Sequence, residues 1–427
     1  MARPGVPLSA VLPPLICGTA TFNSQYNRDP YALPTTAIVH RALSLGIRAF
    51  DTSPYYGPAE ELLGQALDTD RVRDHFPRQD YFLQTKVGRI AGSEFDYSPA
   101  WVRYSVQRSL SRLHTDYLDV VYCHDVEFVS ADEVLAAVRE LRQIRDRTAQ
   151  VHYIGISGYP ISVLGELAEL VLRETGEPLD AVMSYANFTL QNMTLRTEGL
   201  ARFVAAGVDV VSNASLLGMG LLRREGVPVG GQGDFHPAPD GLRKACRHAS
   251  AYCDSQGEKL EVVAIRFALE HWLREGEVVG SSGDPASGIP WTRAPSEGTR
   301  RPKLGVSVMG VSFIEELDET MRVWRSVLDG IEDGEQGALT AGRRTLDHEW
   351  SLRRRQEVIK LAQGVRDTLG VWVDQAWLSP GADYVNVRTL PVAPVGAISS
   401  AKAPAPTHSP TRRSDAPEMG AQRSSRL

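Results

Sequence analysis

The chain has 427 residues and a formal net charge of −6, with 46 Lys and Arg against 52 Asp and Glu. That length holds one large barrel or two to three ordinary domains. Mild acidity and a near-average charged fraction, with no dominant basic stripe, argue against a nucleic-acid partner, and no apolar run is long enough to span a bilayer. The four cysteines, Cys17, Cys123, Cys246 and Cys253, form no CxxC pair and no metal spacing. Cys17 and Cys123 fall within predicted strands and read as small buried hydrophobes of a reducing compartment. The opening MARPGVPLSAVLPPLICG is broken by prolines and makes a poor signal peptide, so a cytoplasmic protein is expected. Asn-x-Ser/Thr triplets begin at Asn187, Asn192 and Asn213; in such a compartment they carry no sugar.

In chain order, short β-rich runs alternate with helical patterns. A strand over Leu15–Phe22 precedes a helix from Pro34 to Gly46, with Pro at its start and Gly at its end. A strand over Ala49–Thr52 leads to a helix over Ala59–Leu67, and a third strand covers Tyr81–Val87. Val102, Val106, Leu110 and Leu113 mark one face of the next helix. The fourth strand, Tyr117–Cys123, is nearly all apolar, as suits burial on both faces. Then come a helix over Ala131–Arg147, a strand over His152–Ser157, a helix over Ile161–Glu174, a strand over Ala181–Tyr185 and a helix over Thr194–Ala206. The seventh strand is Val208–Ser212, followed by helices over Gly241–Ser255 and Glu258–Leu273. Val306–Met309 is the eighth strand, and Leu317, Met321, Trp324 and Leu328 mark the helix after it.

Eight such alternations predict a (β/α)₈ TIM barrel of the α/β class, spanning residues 10–385. A doubly wound sheet is the rival, but it calls for a glycine-rich turn after the first strand, and LICGTATF has none. Residues 276–305, rich in Gly, Ser, Pro and Arg, form a long low-complexity insertion before strand eight. A lid is the less favoured reading of it, because it leads into a strand's N-terminal end, opposite the face that carries chemistry. Asp347–Gly370 reads as a charged helix whose Arg353–Arg355 run is a solvated face. The tail over residues 386–427, low in complexity from Ala393 on, is expected to be disordered.

Four polar residues fall at three successive strand ends or just beyond: Asp51, Tyr56 five residues on, Lys86 in FLQTKVG and His124 in DVVYCHD. Singly each has a plainer reading, as a turn cap, a packing tyrosine, a surface lysine and a hydrogen-bonded structural histidine. Jointly, at the loop face of one barrel, they suit a general acid/base on Tyr56. An ordinary tyrosine ionises near pH 10, and a nearby ammonium favours its phenolate. Lys86 then needs an anion to hold it, which Asp51 supplies. Such a set protonates a carbonyl oxygen or removes a hydroxyl proton; it involves no metal.

FDTSPYYGPAEELLG, KVG and the strand-end histidine resemble the aldo-keto reductase superfamily over roughly Leu15 to Asp329. Asp51, Tyr56, Lys86 and His124 match that family's catalytic tetrad. The resemblance implies a barrel that binds an extended nicotinamide cofactor without a Rossmann domain. DTSPYYG followed by HDVEF is most similar to the branch of D-arabinose and L-galactose 1-dehydrogenases. Cofactor positions carried over are Gly18 and Thr19, Ser157 on the nicotinamide amide, and Ser184 where a Gln is common. Gly158 replaces the usual Asn, and Ala214 replaces a stacking Tyr. Ser215, Leu216 and Gly218 match the loop that wraps the pyrophosphate, and Ser312 and Glu319 follow strand eight, Glu319 toward adenine. NADP-preferring members place Lys and Arg where this chain has Gly310 and Glu316. A carboxylate repels a 2′-phosphate and can bond a ribose hydroxyl, so NAD is expected over NADP unless another cation such as Arg322 reaches the phosphate. The implied reaction is oxidation of a small-molecule sugar (D-arabinose, L-galactose or L-fucose) at C1 to the aldonolactone. The alternatives are an NADPH-dependent carbonyl reductase and a non-catalytic nucleotide-sensing subunit. Nothing in the sequence marks a large apolar interface, which leaves the oligomeric state open.

Overall fold

In the computed structural model, residues 5–228, 233, 235–283, 303–329 and 348–387 are described. Eight strands close a parallel barrel in the order β1 (Leu15–Gly18), β10 (Val306–Gly310), β9 (Val210–Ala214), β8 (Ala181–Tyr185), β7 (Val151–Gly158), β6 (Leu118–His124), β3 (Phe82–Val87) and β2 (Ala49–Asp51). The strands are buried along almost their whole length, which is why they read as apolar runs rather than alternating ones. The outer ring is α1 (Thr35–Ser44), α2 (Ala59–Leu67), α3 (Asp70–His75), α4 (Pro99–Arg112), α5 (Ala131–Thr148), α6 (Ile161–Thr175), α7 (Leu200–Ala205), α8 (Asp240–Ser255), α9 (Leu260–Glu275) and α10 (Ile314–Asp329). The (β/α)₈ architecture expected from the sequence is therefore the one observed.

Local sequence explains the element ends. Ser130 caps α5 through a reciprocal pair with Glu133, a device that stabilises by about 1 kcal/mol. Gly64 in AEELLG lies where a Cβ would come within 1.9 Å of the Arg112 carbonyl oxygen. Only glycine lets α2 approach α4 that closely. At the barrel floor, Asp119 accepts the Leu83 amide, Asp180 the Ile154 amide and Asp209 the Ser9 amide. Aspartates at the strand starts thus satisfy backbone donors that have no strand partner.

Several elements differ from expectation. β1 ends at Gly18, because Thr19–Phe22 turns back through a Phe22 amide bond to the Thr19 carbonyl. The helix expected over Thr194–Ala206 opens with a π-helical turn over Leu195–Gly199 before α7. A two-stranded hairpin, β4 (Arg89–Ala91) with β5 (Glu94–Phe95), stands outside the barrel between β3 and α4.

α11 (His348–Leu369) packs on α8 and α9 through Val358, Ala362, Val365 and Leu369, all buried at helical spacing. Each such burial stabilises by roughly 1.5–3 kcal/mol for the larger side chains. Its Arg353–Arg355 run is not a uniform solvated face. Arg354 pairs with Glu258 and Arg355 with Glu270 at 2.9 Å, both largely covered, and only Arg353 is mostly exposed. From α11 the chain returns across the barrel mouth. Trp377 stacks on Tyr159 at 4.6 Å, Tyr384 packs against Phe95 and Phe128, and the Val387 amide donates to the Ser93 carbonyl at 2.8 Å. Asn386 and Val387, assigned to the tail from sequence, thus dock on the hairpin, while the rest of that tail lies outside the described residues. Residues 284–302 of the insertion lie outside them too; its flanks pair Ser281 with Leu304 beside Ser9 and Leu12, at the barrel floor.

Candidate active site

β2, β3 and β6 are consecutive in the barrel, so their C-terminal ends converge. Lys86 Nζ donates to Asp51 Oδ1 at 2.9 Å, to Asp51 Oδ2 at 2.8 Å and to the Thr52 carbonyl at 2.9 Å. All of the ammonium's donors are engaged, and the side chain is 2 % exposed. Burial pushes the Asp51 carboxyl up, and the ammonium against it pulls the other way.

Tyr56 lies on the turn after β2, with its ring 4.9 Å from Lys86 Nζ and edge-to-face with His124 at 5.7 Å. Its phenol is held well above the ordinary tyrosine value, first by burial and then by the negative charges of Asp51 and Asp125. This corrects the expectation that Lys86 lowers it. Asp51 neutralises the ammonium, and desolvation dominates. Tyr56 is therefore a neutral phenol in the resting protein.

Burial likewise lowers the His124 imidazole to about 3, with Lys86 and Arg89 helping and Asp125 opposing. Nδ1 lies 3.0 Å from Ser53 Oγ, and Nε2 lies 3.6 Å from Asp125 Oδ2. That arrangement favours the tautomer with its proton on Nε2 and Nδ1 accepting from Ser53. Tyr97 donates to the His124 carbonyl at 2.6 Å and fixes the strand end. A neutral phenol and a neutral imidazole donor facing one cavity can hold a carbonyl or hydroxyl oxygen between them and move one proton.

That cavity has a volume of about 630 Å³ and runs from Asp51, Tyr56, Lys86 and His124 to Arg223, Gly310 and Thr320. Of the cofactor positions read from sequence, Gly18, Ser157, Ser215, Leu216 and Gly310 line it. The others do not. Thr19 is buried and donates to the Asp51 carbonyl. Ser184 faces away from the cavity, accepting from Asn187 Nδ2, while its neighbours Met183 and Tyr185 line the wall by strand alternation. Gly218 stands behind the turn, with its carbonyl 2.9 Å from His236 Nε2. Ser312 accepts from Asn27 Nδ2, its amide donates to Glu316 Oε2, and Glu319 is half-buried beside the lining residue Thr320.

The lining fits an elongated nicotinamide dinucleotide. Small residues (Gly18, Ala20, Ala214, Ser215, Gly310) leave a slot along the β1, β9 and β10 ends, and a Cβ on Gly18 would stand 3.0 Å from Val308 Cγ1. Sequence reading missed Arg223, which lines the same end and pairs with Glu316 at 3.2 Å. Arg322 is exposed and away from the lining. It also missed Arg89, Asp125, Tyr55 and Trp377 in the wall. Asp125 adjoins His124 and could have been suspected from that alone, whereas Arg89 sits on the unforeseen hairpin. Among the described residues no cluster of His, Cys, Asp or Glu could hold a metal ion, and no helix is long and apolar enough to cross a membrane.

The model of the Aldo/keto reductase family matches residues 14–332. The D-arabinose 1-dehydrogenase of Saccharomyces cerevisiae is 44% identical over 272 residues, 63% of this chain and 79% of that protein. The L-galactose dehydrogenase of Arabidopsis thaliana is 36% identical over 248 residues, 58% of this chain and 73% of that protein. The glycerol dehydrogenase structure from Gluconobacter oxydans superposes with a TM-score of 0.52 at 18% identity, covering 88% of this chain and 97% of its own, a likeness of fold alone.

Proposed function

The chain is an oxidoreductase of the Aldo/keto reductase family, and from that premise we propose that it oxidises an aldose at C1 to the aldonolactone with NAD. The observation that carries this reading is the buried Lys86–Asp51 clamp beneath Tyr56 and beside His124, at one end of a continuous cavity. The two dehydrogenase relatives support an aldose as substrate, of the D-arabinose, L-galactose or L-fucose type.

When bound, the nicotinamide dinucleotide supplies the hydride acceptor for C1. Gly18, Ser157, Ala214, Ser215, Leu216 and Gly310 would hold it, since they line the slot. The chain's own work is alignment and proton transfer. The Nε2–H of His124 donates to the sugar oxygen and holds the anomeric hydroxyl against Tyr56. In oxidation the Tyr56 phenol first gives its own proton to solvent, and the phenolate Oη then takes the hydroxyl proton; in the reverse direction the neutral phenol donates it. Lys86 fixes the platform under the Tyr56 ring and keeps one positive charge near the forming phenolate, and Asp51 holds Lys86 in place. Glu316 favours NAD through a ribose hydroxyl, while Arg223 beside it favours a second reading in which NADP also serves.

The test is Tyr56→Phe. NADH formation with D-arabinose, L-galactose or L-fucose is expected to fall at least about 10³-fold, given what a positioned acid/base contributes. Nucleotide binding, followed by fluorescence titration, is expected to stay within about twofold. Retained turnover would sink the assignment.

A further inference from the structure

The Arg89–Asp125 pair takes no part in proton transfer, yet it lies in the cavity wall beside His124. Arg89 opens the hairpin and Asp125 follows β6, so the pair joins two elements at the substrate end. Both side chains are largely removed from bulk water, at 16 % and 4 % exposure. The Arg89 guanidinium carbon lies over the Tyr55 ring, 3.9 Å from its centroid. Besides its bond to Asp125, its hydrogen bonds to the Ala91 and Gly92 carbonyls are both at 3.5 Å, the outer limit of such a contact. On Asp125, the contacts from Arg89 and from His124 both fall on Oδ2, which leaves Oδ1 for another donor. Asp125 is also held at φ 55°, a left-handed conformation that L-residues adopt at a cost and that recurs where a side chain must be aimed.

A plain structural ion pair is the competing account. It leaves unexplained why a costly buried pair faces a cavity with donors and an acceptor unfilled. A polyhydroxylated ligand fills them: one hydroxyl donates to Asp125 Oδ1 while a neighbouring oxygen accepts from Arg89. Phe128 and Trp377 on the same wall offer apolar faces to the C–H side of a sugar ring.

We propose that Arg89 and Asp125 are the sugar-recognition residues of this site, gripping two hydroxyls beyond the reacting carbon. This rests on the C1-dehydrogenase reading and adds to it the means of selecting aldoses over simple aldehydes. A site built to bond hydroxyls rejects a ligand that lacks them, because its buried charges then go unpaired.

The experiment crosses variants with substrates: native protein, Asp125→Asn and Arg89→Lys, each with the parent aldose and with its 2-deoxy and 3-deoxy analogues. In the native protein, kcat/KM is expected to fall roughly 10- to 100-fold for at least one deoxy sugar, as charge-assisted hydrogen bonds require. Each variant is expected to raise KM for the parent sugar by a similar factor. Parent and deoxy sugar should then agree within about twofold in that variant, because the lost partners are the same. Arg89→Lys keeps the charge beside Asp125 but loses the planar fork, so it carries the test if Asp125→Asn does not fold. A deoxy penalty that persists in full in both variants overturns the assignment while leaving the dehydrogenase reading intact. A native protein that oxidises no aldose with either nucleotide overturns that reading and the assignment with it.

Discussion

Glu316 has two neighbours with opposite consequences for the nucleotide. Its Oε2 accepts the Ser312 amide at 2.8 Å and orders the start of α10, while its Oε1 holds Arg223 at 3.2 Å. On the NAD reading the carboxylate, just outside the lining, would repel a 2′-phosphate, and it also pairs with Arg223, a cation that lines that end. Glu316→Gln keeps an acceptor for Ser312 and removes the charge, which frees Arg223. The ratio of kcat/KM for NADP⁺ to that for NAD⁺ is expected to rise roughly five- to tenfold, modest because the pair is half exposed and screened. An unchanged ratio in steady-state kinetics would show that Glu316 does not face the 2′ position. At this scale the sequence was informative about what each residue is and silent about company. The clamp of Lys86 on Asp51 follows from three neighbouring strand ends, whereas the Arg223–Glu316 pair spans 93 residues, and Arg223 lies in the irregular stretch between β9 and α8.

At the scale of elements, the site is finished by pieces that have no regular pattern. The hairpin carrying Arg89 is only a few residues long, and GRIAGSEF has too little alternation to announce it. The segment after α11, a strap across the barrel mouth, is tied to the end of β7 through Glu127, whose Oε1 accepts from Ser379 at 2.9 Å and from the Tyr159 amide at 3.1 Å. The departure at Gly158 becomes intelligible here. A Cβ on that residue would stand 2.5 Å from Glu127 Oε2, so the carboxyl occupies the space a side chain would need. Burial and the charge of Asp125 push the Glu127 carboxyl up to about 8. Its folded value lies above its unfolded one, so the stability it lends is full below about 4.5 and is lost as pH rises through about 8. Glu127→Gln has the same shape and the same acceptor but no charge to acquire. Amide exchange of the strap residues around Ser379, followed at pH 7 and pH 9, is expected to accelerate in the native protein and to show no such strap-specific increase in the variant, after correction for intrinsic exchange. Equal acceleration in both would remove Glu127 as the cause. The regular part of the fold was readable because strand and helix periods are local; the strap was not, because its contacts reach back 252 residues from Ser379 to Glu127.

For the whole molecule, the acid response is a sum of buried groups with opposite signs. His124 folds neutral, with its imidazole lowered to about 3, so the unfolded chain binds a proton the folded one refuses between about pH 6.5 and 3. Stability falls as pH drops through that window, by about 1.4 kcal/mol per unit from this residue alone. Asp180, raised to about 6 by burial, acts the other way between about pH 6 and 3.8, and Glu127 does so between about 8 and 4.5. These contributions offset His124 at mild acidity. Below about pH 4 the offset ends, and the depressed carboxylates, among them Asp119 under the charge of Arg78, begin to lose their stabilising charge. The chain should therefore hold through pH 5 and unfold steeply below 4. Two variants separate the terms in urea melts at pH 7, 5.5 and 4. His124→Gln should gain stability relative to native as pH falls, and Asp180→Asn should lose it over the same range. A difference between native and His124→Gln that stays flat from pH 7 to 4 would mean that the folded imidazole takes up its proton over the same range as the unfolded one, so that burial does not hold it neutral in acid. Activity that depends on a neutral Nε2 donor would then fall below about pH 6.5 instead of persisting to lower pH, which ties the stability of the barrel and the chemistry at its mouth to one proton.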